Sequence, residues 1–195
     1  MVDISIIIVN YKSWNDLKEC LQSIVSITSD RFTMEIIVID NQSNDGRIEE
    51  FRNLFPSISF IENTGNNGFA NGCNTGAAIA KGNYLFFLNP DTIISENAIY
   101  DLWLNASDYK DVGVFCCTQI NENNKKYNEI RFFPSLTTLF GPFRALFKLI
   151  NQQTIKANYN QDKPIVYPDW ATGAVIFMSR EWFDKVRGWT EKYWL

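Results

Sequence analysis

Ile4 to Val9 is a continuous, β-branched apolar run, the pattern of a strand covered on both faces. From Trp14 to Ile27 the pattern changes to helical spacing, with Leu17, Cys20, Leu21 and Ile24 on one side. Glu35 to Ile39 reads as a second buried strand ending at Asp40, and Asp45 to Phe55 as a helix closed by Pro56. Ile58 to Ile61 predicts a third strand. Phe69 to Lys81 is Ala-rich and helical, with Gly82 as its C-cap. Tyr84 to Leu88 predicts a fourth strand, stopped by the turn Asn89-Pro90-Asp91. Ser95 caps a helix from Glu96 to Ala106, and Val112 to Cys117 reads as a fifth strand. Beyond it the pattern predicts a helix over Leu136 to Ile150, a polar loop over Asn151 to Pro164, a strand over Ala174 to Met178, and a helix from Ser179 to Val186.

Strands that alternate with helices build an α/β layer with a mostly parallel sheet. No internal repeat or low-complexity linker divides the 195 residues, so the expectation is one domain. Ligands of such sheets bind outside the carboxyl ends of the strands. Polar side chains gather there: Asn10 and Tyr11 after Val9, Asp40, Asn63 with Asn67-Gly68, and Asn89-Pro90-Asp91.

Each residue also has a plainer reading. Asp40 alone is a turn or cap residue before Ser43, and Asp91 alone is the Asp of a Pro-Asp turn. Their coincidence on one sheet edge is the signal. Asp91 is also suited to a magnesium-like cation, which takes one or two carboxylates and completes its shell with phosphates. The Asn67, Gly68, Asn71, Asn74 stretch opens a helix and can bring backbone N–H groups to a ligand. It matches neither a dinucleotide fingerprint nor a phosphate loop, which argues against dehydrogenase and ATPase chemistry.

Composition narrows the picture. The chain has no histidine, so acid, base and metal duties fall to carboxylates. Cys20, Cys73, Cys116 and Cys117 form no C-x-x-C pair, which argues against structural zinc and for reduced thiols in a cytoplasmic protein. A net charge of -4 excludes broad adsorption to nucleic acid. The first residues lack a basic leader, and no apolar run has the length of a membrane span. Leu139, Phe140, Phe143, Leu146, Phe147 and Ile150 share one helical side, with Arg144 and Lys148 interrupting the other. That face either packs within the protein or rests peripherally on the inner face of the cell membrane.

Six segments in order carry a family resemblance: IIIVNYKSW (6–14), VIDNQSNDG (38–46), NTGNNGFANGCNTG (63–76), FFLNPDT (86–92), DWATGA (169–174) and GWTEKYWL (188–195). Together they resemble the family-2 inverting glycosyltransferases of GT-A fold, and within them the rhamnosyltransferase-like enzymes of bacterial surface polysaccharides, the O-antigen among them. The resemblance implies a Rossmann-like three-layer sandwich and transfer of a sugar from a dTDP- or UDP-sugar to a glycan or polyprenyl-linked acceptor. It implies that Val9, Asn10 and Tyr11 line the base pocket, that Asp40 pairs with the base, and that Asn67, Gly68 and Asn74 lie beside the diphosphate-sugar. Asn89-Pro90-Asp91 stands where the family carries its metal-binding D-x-D, leaving Asp91 as the carboxylate for Mg2+ or Mn2+ and Asn89 near the ribose. Asp169, Trp170, Gly173 and Ala174 fall on the acceptor side.

The family's general base is the Asp of a Glu-Asp pair that follows a segment like Gly188 to Trp194, and Thr190 stands where the family usually has Asp. The expectation is therefore a base beyond Leu195, a C-terminal part of the family domain missing, and Asp169 as the remaining carboxylate that could substitute. An inactive nucleotide-sugar-binding fragment is the alternative from another class. A sugar nucleotidyltransferase is a second, and it wants a basic, Gly-rich loop where this chain has Asn10 to Trp14, with Lys12 the only basic residue.

Overall fold

Ten elements follow one another in a computed structural model that describes residues 2–121, 123, 168, 170 and 173–192. They are β1 (Ile4–Asn10), α1 (Trp14–Val25), β2 (Met34–Asp40), α2 (Arg47–Leu54), β3 (Ser59–Glu62), α3 (Phe69–Ile79), β4 (Tyr84–Leu88), α4 (Glu96–Asp108), β5 (Val175–Ser179) and α5 (Arg180–Lys185). The strands form one sheet in the order β3-β2-β1-β4-β5. The first four run parallel, and β5 is antiparallel to β4. The chain divides into two compact units, residues 1–117 with 173–195, and residues 118–172. The sheet lies in the first. The sequence-predicted helix over 136–150 and the loop over 151–164 lie outside the described residues.

The central strand explains the layers. Every residue of β1 is buried, and alternate side chains enter different cores. Ile4, Ile6 and Ile8 meet Leu17, Leu21 and Ile24 of α1, Ile48 and Phe51 of α2, and Ile99 and Leu102 of α4. Ile7 and Val9 meet Cys73 and Ala77 of α3 and Phe183 of α5. Helices thus cover both faces, a three-layer α/β sandwich. Each fully buried Ile or Leu contributes about 1.5–3 kcal/mol relative to exposure. On the broader face Trp14 packs on Phe51 with ring centroids 4.8 Å apart.

Small residues set how near α3 lies to the sheet. A Cβ on Gly76 would stand 2.4 Å from Ile7 Cγ2, and one on Gly72 2.7 Å from Val9 Cγ1. The helix rides directly on β1, which fixes where its N-terminal turn can point.

Two local expectations are corrected. Val112 to Cys117 is not a strand. Phe115 makes an isolated antiparallel bridge with Phe177 in place of a ladder. Its neighbour Val114 is half exposed, and Phe115 and Cys117 pack against the core only partly buried, unlike the side chains of an inner strand. Gly82 is not the C-cap of α3. The helix ends at Ile79, and Ala80 turns extended. The free carbonyls are taken instead by Arg180, whose guanidinium donates to the oxygens of Ala77, Ala80 and Gly82 at 3.3, 2.8 and 3.0 Å. A cation at the negative end of the helix satisfies both hydrogen bonding and the dipole. The capping serines at the other helix starts behave as read: Ser95 accepts from the Ala98 N–H, and Ser179 from the Trp182 N–H.

Gly82 is required for another reason. Its N–H donates to Ser5 Oγ at 2.8 Å, and a Cβ there would lie 2.5 Å from the Ser5 nitrogen. Backbone cannot yield as a side chain does, so Gly82→Ala is expected to cost about 1–3 kcal/mol of folding free energy. Urea unfolding checks this. A midpoint equal to that of the native chain would show that the approach is looser than described.

Candidate functional site

Among the described residues, the buried polar side chains of the sheet unit are Ser5, Asn10, Asp40, Asn41 and Ser43. Four of them cluster at the C-terminal ends of β1 and β2. Burying a carboxylate costs several kcal/mol unless donors surround it. Asp40, 1% exposed, has those donors. Asn10 Nδ2 donates to Oδ1 at 2.8 Å, Ser43 Oγ donates to Oδ1 at 2.6 Å, and the Ser43 N–H donates to Oδ2 at 2.8 Å. A carboxylate has about four acceptor positions, so about one is left beyond these three donors. Asn10 and Asp40 are aligned in the β1–β2 register, so the bond follows from strand pairing.

The loops at this edge are stitched to one another. The Lys12 N–H donates to Ser43 Oγ at 2.9 Å, the Ser13 N–H to Asn10 Oδ1 at 3.2 Å, and the Trp14 indole to Asp45 Oδ2 at 2.8 Å. Lys12, Gln42 and Asn44 have positive φ. Non-glycine residues in this region cost on the order of 1 kcal/mol each and concentrate at functional sites. Tyr11 is 47% exposed above this floor, with Lys12 Nζ 5.2 Å from its ring centroid.

Val9 is buried under α3, while Gly68 stands at the helix start with φ +86° and no side-chain cap. The Gly68 carbonyl accepts from Asn41 Nδ2 at 3.0 Å, which ties the helix entry to the residue after Asp40. Asn67 is exposed. Because α3 follows β3 and packs on β1, its open N–H groups face the same edge as Asp40, an arrangement that favours anions.

The turn after β4 is held from behind by α1. The Asn89 N–H donates to the Ala174 carbonyl at 3.0 Å, and the Asn89 carbonyl receives the Cys20 S–H at 3.8 Å. Ser23 Oγ donates to the Cys20 carbonyl at 2.7 Å and accepts the Ile94 N–H at 3.3 Å. Burial, with the nearby Asp91 charge adding to it, pushes the Cys20 thiol up to about 12, so it stays a donor at neutral pH. Asp91 is exposed, and Asn89 is half-buried.

Among the described residues no three of His, Cys, Asp and Glu form a cluster. The donor set at this turn is therefore the single Asp91 carboxylate. Such a set does not make an all-protein cage. It does fit a hard divalent cation that draws its remaining ligands from phosphate and water.

The sequence-predicted residues divide. The structure brings Asn10, Asp40 and, through Asn41, Gly68 into one hydrogen-bonded group. Asn89 joins Ala174 at the start of β5, beside an exposed Gly173. Asp169 lies outside the described residues, and Trp170, 42% exposed, belongs to the other unit. Asn74 is turned elsewhere, onto Trp189 and Glu191. Sequence reading missed Ser43 and Asn41 as members of the site. Ser43, three residues after Asp40, was legible as a partner through the common Asp-x-x-Ser turn.

A protein-family model described as "Glycosyl transferase family 2" matches residues 5–185. The poly(ribitol-phosphate) beta-glucosyltransferase of Bacillus spizizenii is 33% identical over 108 residues, covering 53% of this chain and 17% of that protein. Among solved structures, S. aureus TarS 1–349 superposes with a TM-score of 0.65 at 16% identity, over all of this chain and 52% of that one. TarS has also been solved with UDP-GlcNAc and with UDP. The mannosyltransferase PcManGT of Pyrobaculum calidifontis, solved with GDP-Man and Mn2+, superposes with a TM-score of 0.60 at 17% identity, over 97% of this chain and 48% of that one. The structural likenesses show the shared GT-A α/β fold. The chain spans about a sixth of the curated relative's length and about half of each solved chain. No helix among the described residues is long and apolar enough to cross a membrane.

Removing the Asp40 carboxylate strands the Asn10 amide and the Ser43 N–H inside the protein. Asp40→Ala is therefore expected to lower stability by about 2–3 kcal/mol even without ligand. Urea unfolding of the ligand-free chain checks it. A neutral result would mean that Asp40 is a free ligand group rather than part of the frame.

Proposed function

We propose that this chain, which belongs to glycosyl transferase family 2, binds a pyrimidine nucleoside-diphosphate sugar at the C-terminal edge of its sheet and serves transfer of that sugar to a hydroxyl of a surface glycan. The observation that carries the reading is the buried Asn10–Asp40–Ser43 group, set beside the uncapped start of α3 and the Asn89–Asp91 turn.

Asp40, held by Asn10 and Ser43, accepts the base N–H with its remaining lone pair, and Tyr11 lies against the base. Gly68 and the first N–H groups of α3 receive the diphosphate. Asp91, with Asn89 near the ribose, holds Mg2+ or Mn2+, which when bound neutralises charge on the departing diphosphate. Gly173 and Ala174, at the start of β5, and beyond them Asp169 and Trp170, belong to the acceptor side. The acceptor is a hydroxyl on a polyol-phosphate polymer, a growing glycan or a polyprenyl-linked sugar, and both units act as one glycosyltransferase domain. The relative named above supports a polyol-phosphate acceptor, and the TarS complexes support a UDP-sugar. The motif resemblance supports dTDP-rhamnose as a second donor to test.

Isothermal titration of the chain with UDP, dTDP and their sugars, with and without Mn2+, tests the reading. Binding is expected to need the metal, and Asp91→Ala is expected to weaken it at least about tenfold, or about 1.4 kcal/mol. A folded chain that binds neither nucleotide at millimolar concentration would overturn the proposal.

A further inference from the structure

Asn71 and Asn74 lie one turn apart on α3, and their side chains converge on a residue more than a hundred positions away. Glu191 Oε1 accepts from Asn74 Nδ2 at 2.6 Å, and Glu191 Oε2 accepts from Asn71 Nδ2 at 3.1 Å. The two amides hold the Glu191 carboxyl below its ordinary range, with Asn74 the larger cause. Asn74 also bonds both backbone groups of Trp189. Its Oδ1 accepts the Trp189 N–H at 2.9 Å, and its Nδ2 donates to the Trp189 carbonyl at 3.0 Å. Both amide hydrogens of Asn74 are thereby used, and a ligand can meet only what is left of its oxygen.

The backbone around this contact is shaped for it. Gly188 has φ +73°, and a Cβ there would lie 2.8 Å from Asn74 Oδ1. The Trp189 ring meets Phe69 and Phe87 edge-on, at centroid distances of 6.2 and 5.4 Å. Asn71 Oδ1 in turn accepts from Asn63 Nδ2 at 3.3 Å, and Asn63 Nδ2 donates to Asn41 Oδ1 at 2.8 Å. Asn41 follows Asp40 in the chain and holds the Gly68 carbonyl. One run of amide hydrogen bonds therefore connects the frame of the candidate base pocket to residues 188–191.

We infer that Glu191, Asn71 and Asn74 form a latch that seats residues 188–192 on α3 and couples that segment to the donor pocket, so that Asn74 and Glu191 are positioning residues rather than ligand contacts. The coupling half of this inference rests on the donor reading above. The latch itself does not. An occupied donor pocket stiffens Asn41 and the α3 entry, and the amide run passes that order to the segment after α5.

Amide hydrogen exchange on the 195-residue chain tests it through peptides covering residues 188–192. Glu191 is exposed, so Glu191→Ala leaves the cores intact. It is expected to speed exchange in those peptides about tenfold while β1 and β4 stay protected as in the native chain. Glu191→Gln, which keeps one side-chain oxygen for an amide donor, is expected to fall between the two. UDP with Mn2+ is expected to slow exchange at 188–192 in the native chain, and to lose that effect in Glu191→Ala while still binding.

Exchange within about twofold of native in both Glu191→Ala and Asn74→Ala would overturn the latch. Nucleotide that binds without changing exchange at 188–192 would overturn the coupling. If the native chain binds no nucleotide, the donor reading fails, and the ligand-free comparison alone decides the latch.

Discussion

A carboxylate buried at the end of a parallel strand is tolerable only if neighbouring elements supply its donors, and Asp40 takes them from two places. Asn10 comes from the adjacent strand in register, and Ser43 from the loop that follows. Both must be in place before the group can be enclosed, so strand pairing, the β1–α1 loop and the β2–α2 loop depend on one another. The same three donors leave the carboxylate oriented and partly unsatisfied. The atoms that frame this sheet edge are the same ones that the proposed donor pocket would use.

Much of this was legible in the order of residues. Buried parallel strands announce themselves as β-branched apolar runs, and β4 falls where Tyr84 to Leu88 placed it. The edge of the sheet was legible through Asn10, Asp40 and Asn89, because each follows such a run. The fate of Val112 to Cys117 was not, since a short apolar run looks the same whether it pairs along its length or makes an isolated bridge at Phe115. The end of α3 was misread for a related reason. Glycine after a helix suggests a cap, but the cap was Arg180, about a hundred residues away, and local rules do not reach that far. Asn74 shows the same limit. Nothing in the residues around it announces its hydrogen bonds to Trp189 and Glu191.

Arg180 and Glu191 bracket α3 from opposite ends. Arg180 closes the C-terminal carbonyls, and Glu191 gathers the side chains of the N-terminal half. Both belong to the stretch of chain that begins with β5. This helix, with glycines at its contact face, is thus held by residues more than a hundred positions further along the chain.

The bridge between Phe115 and Phe177 has a consequence for how this protein can change. Their backbones exchange two hydrogen bonds, of 2.8 and 2.9 Å, just before the chain leaves the sheet unit and just after it returns. The two ends of the intervening stretch are already clasped by the sheet. The entropy of closing such an excursion grows only with the logarithm of its length. Residues 118–172 can therefore be lengthened, shortened or exchanged at little cost to the strands that hold them. The clasp separates the stability of the strands from the length of the chain between its two ends.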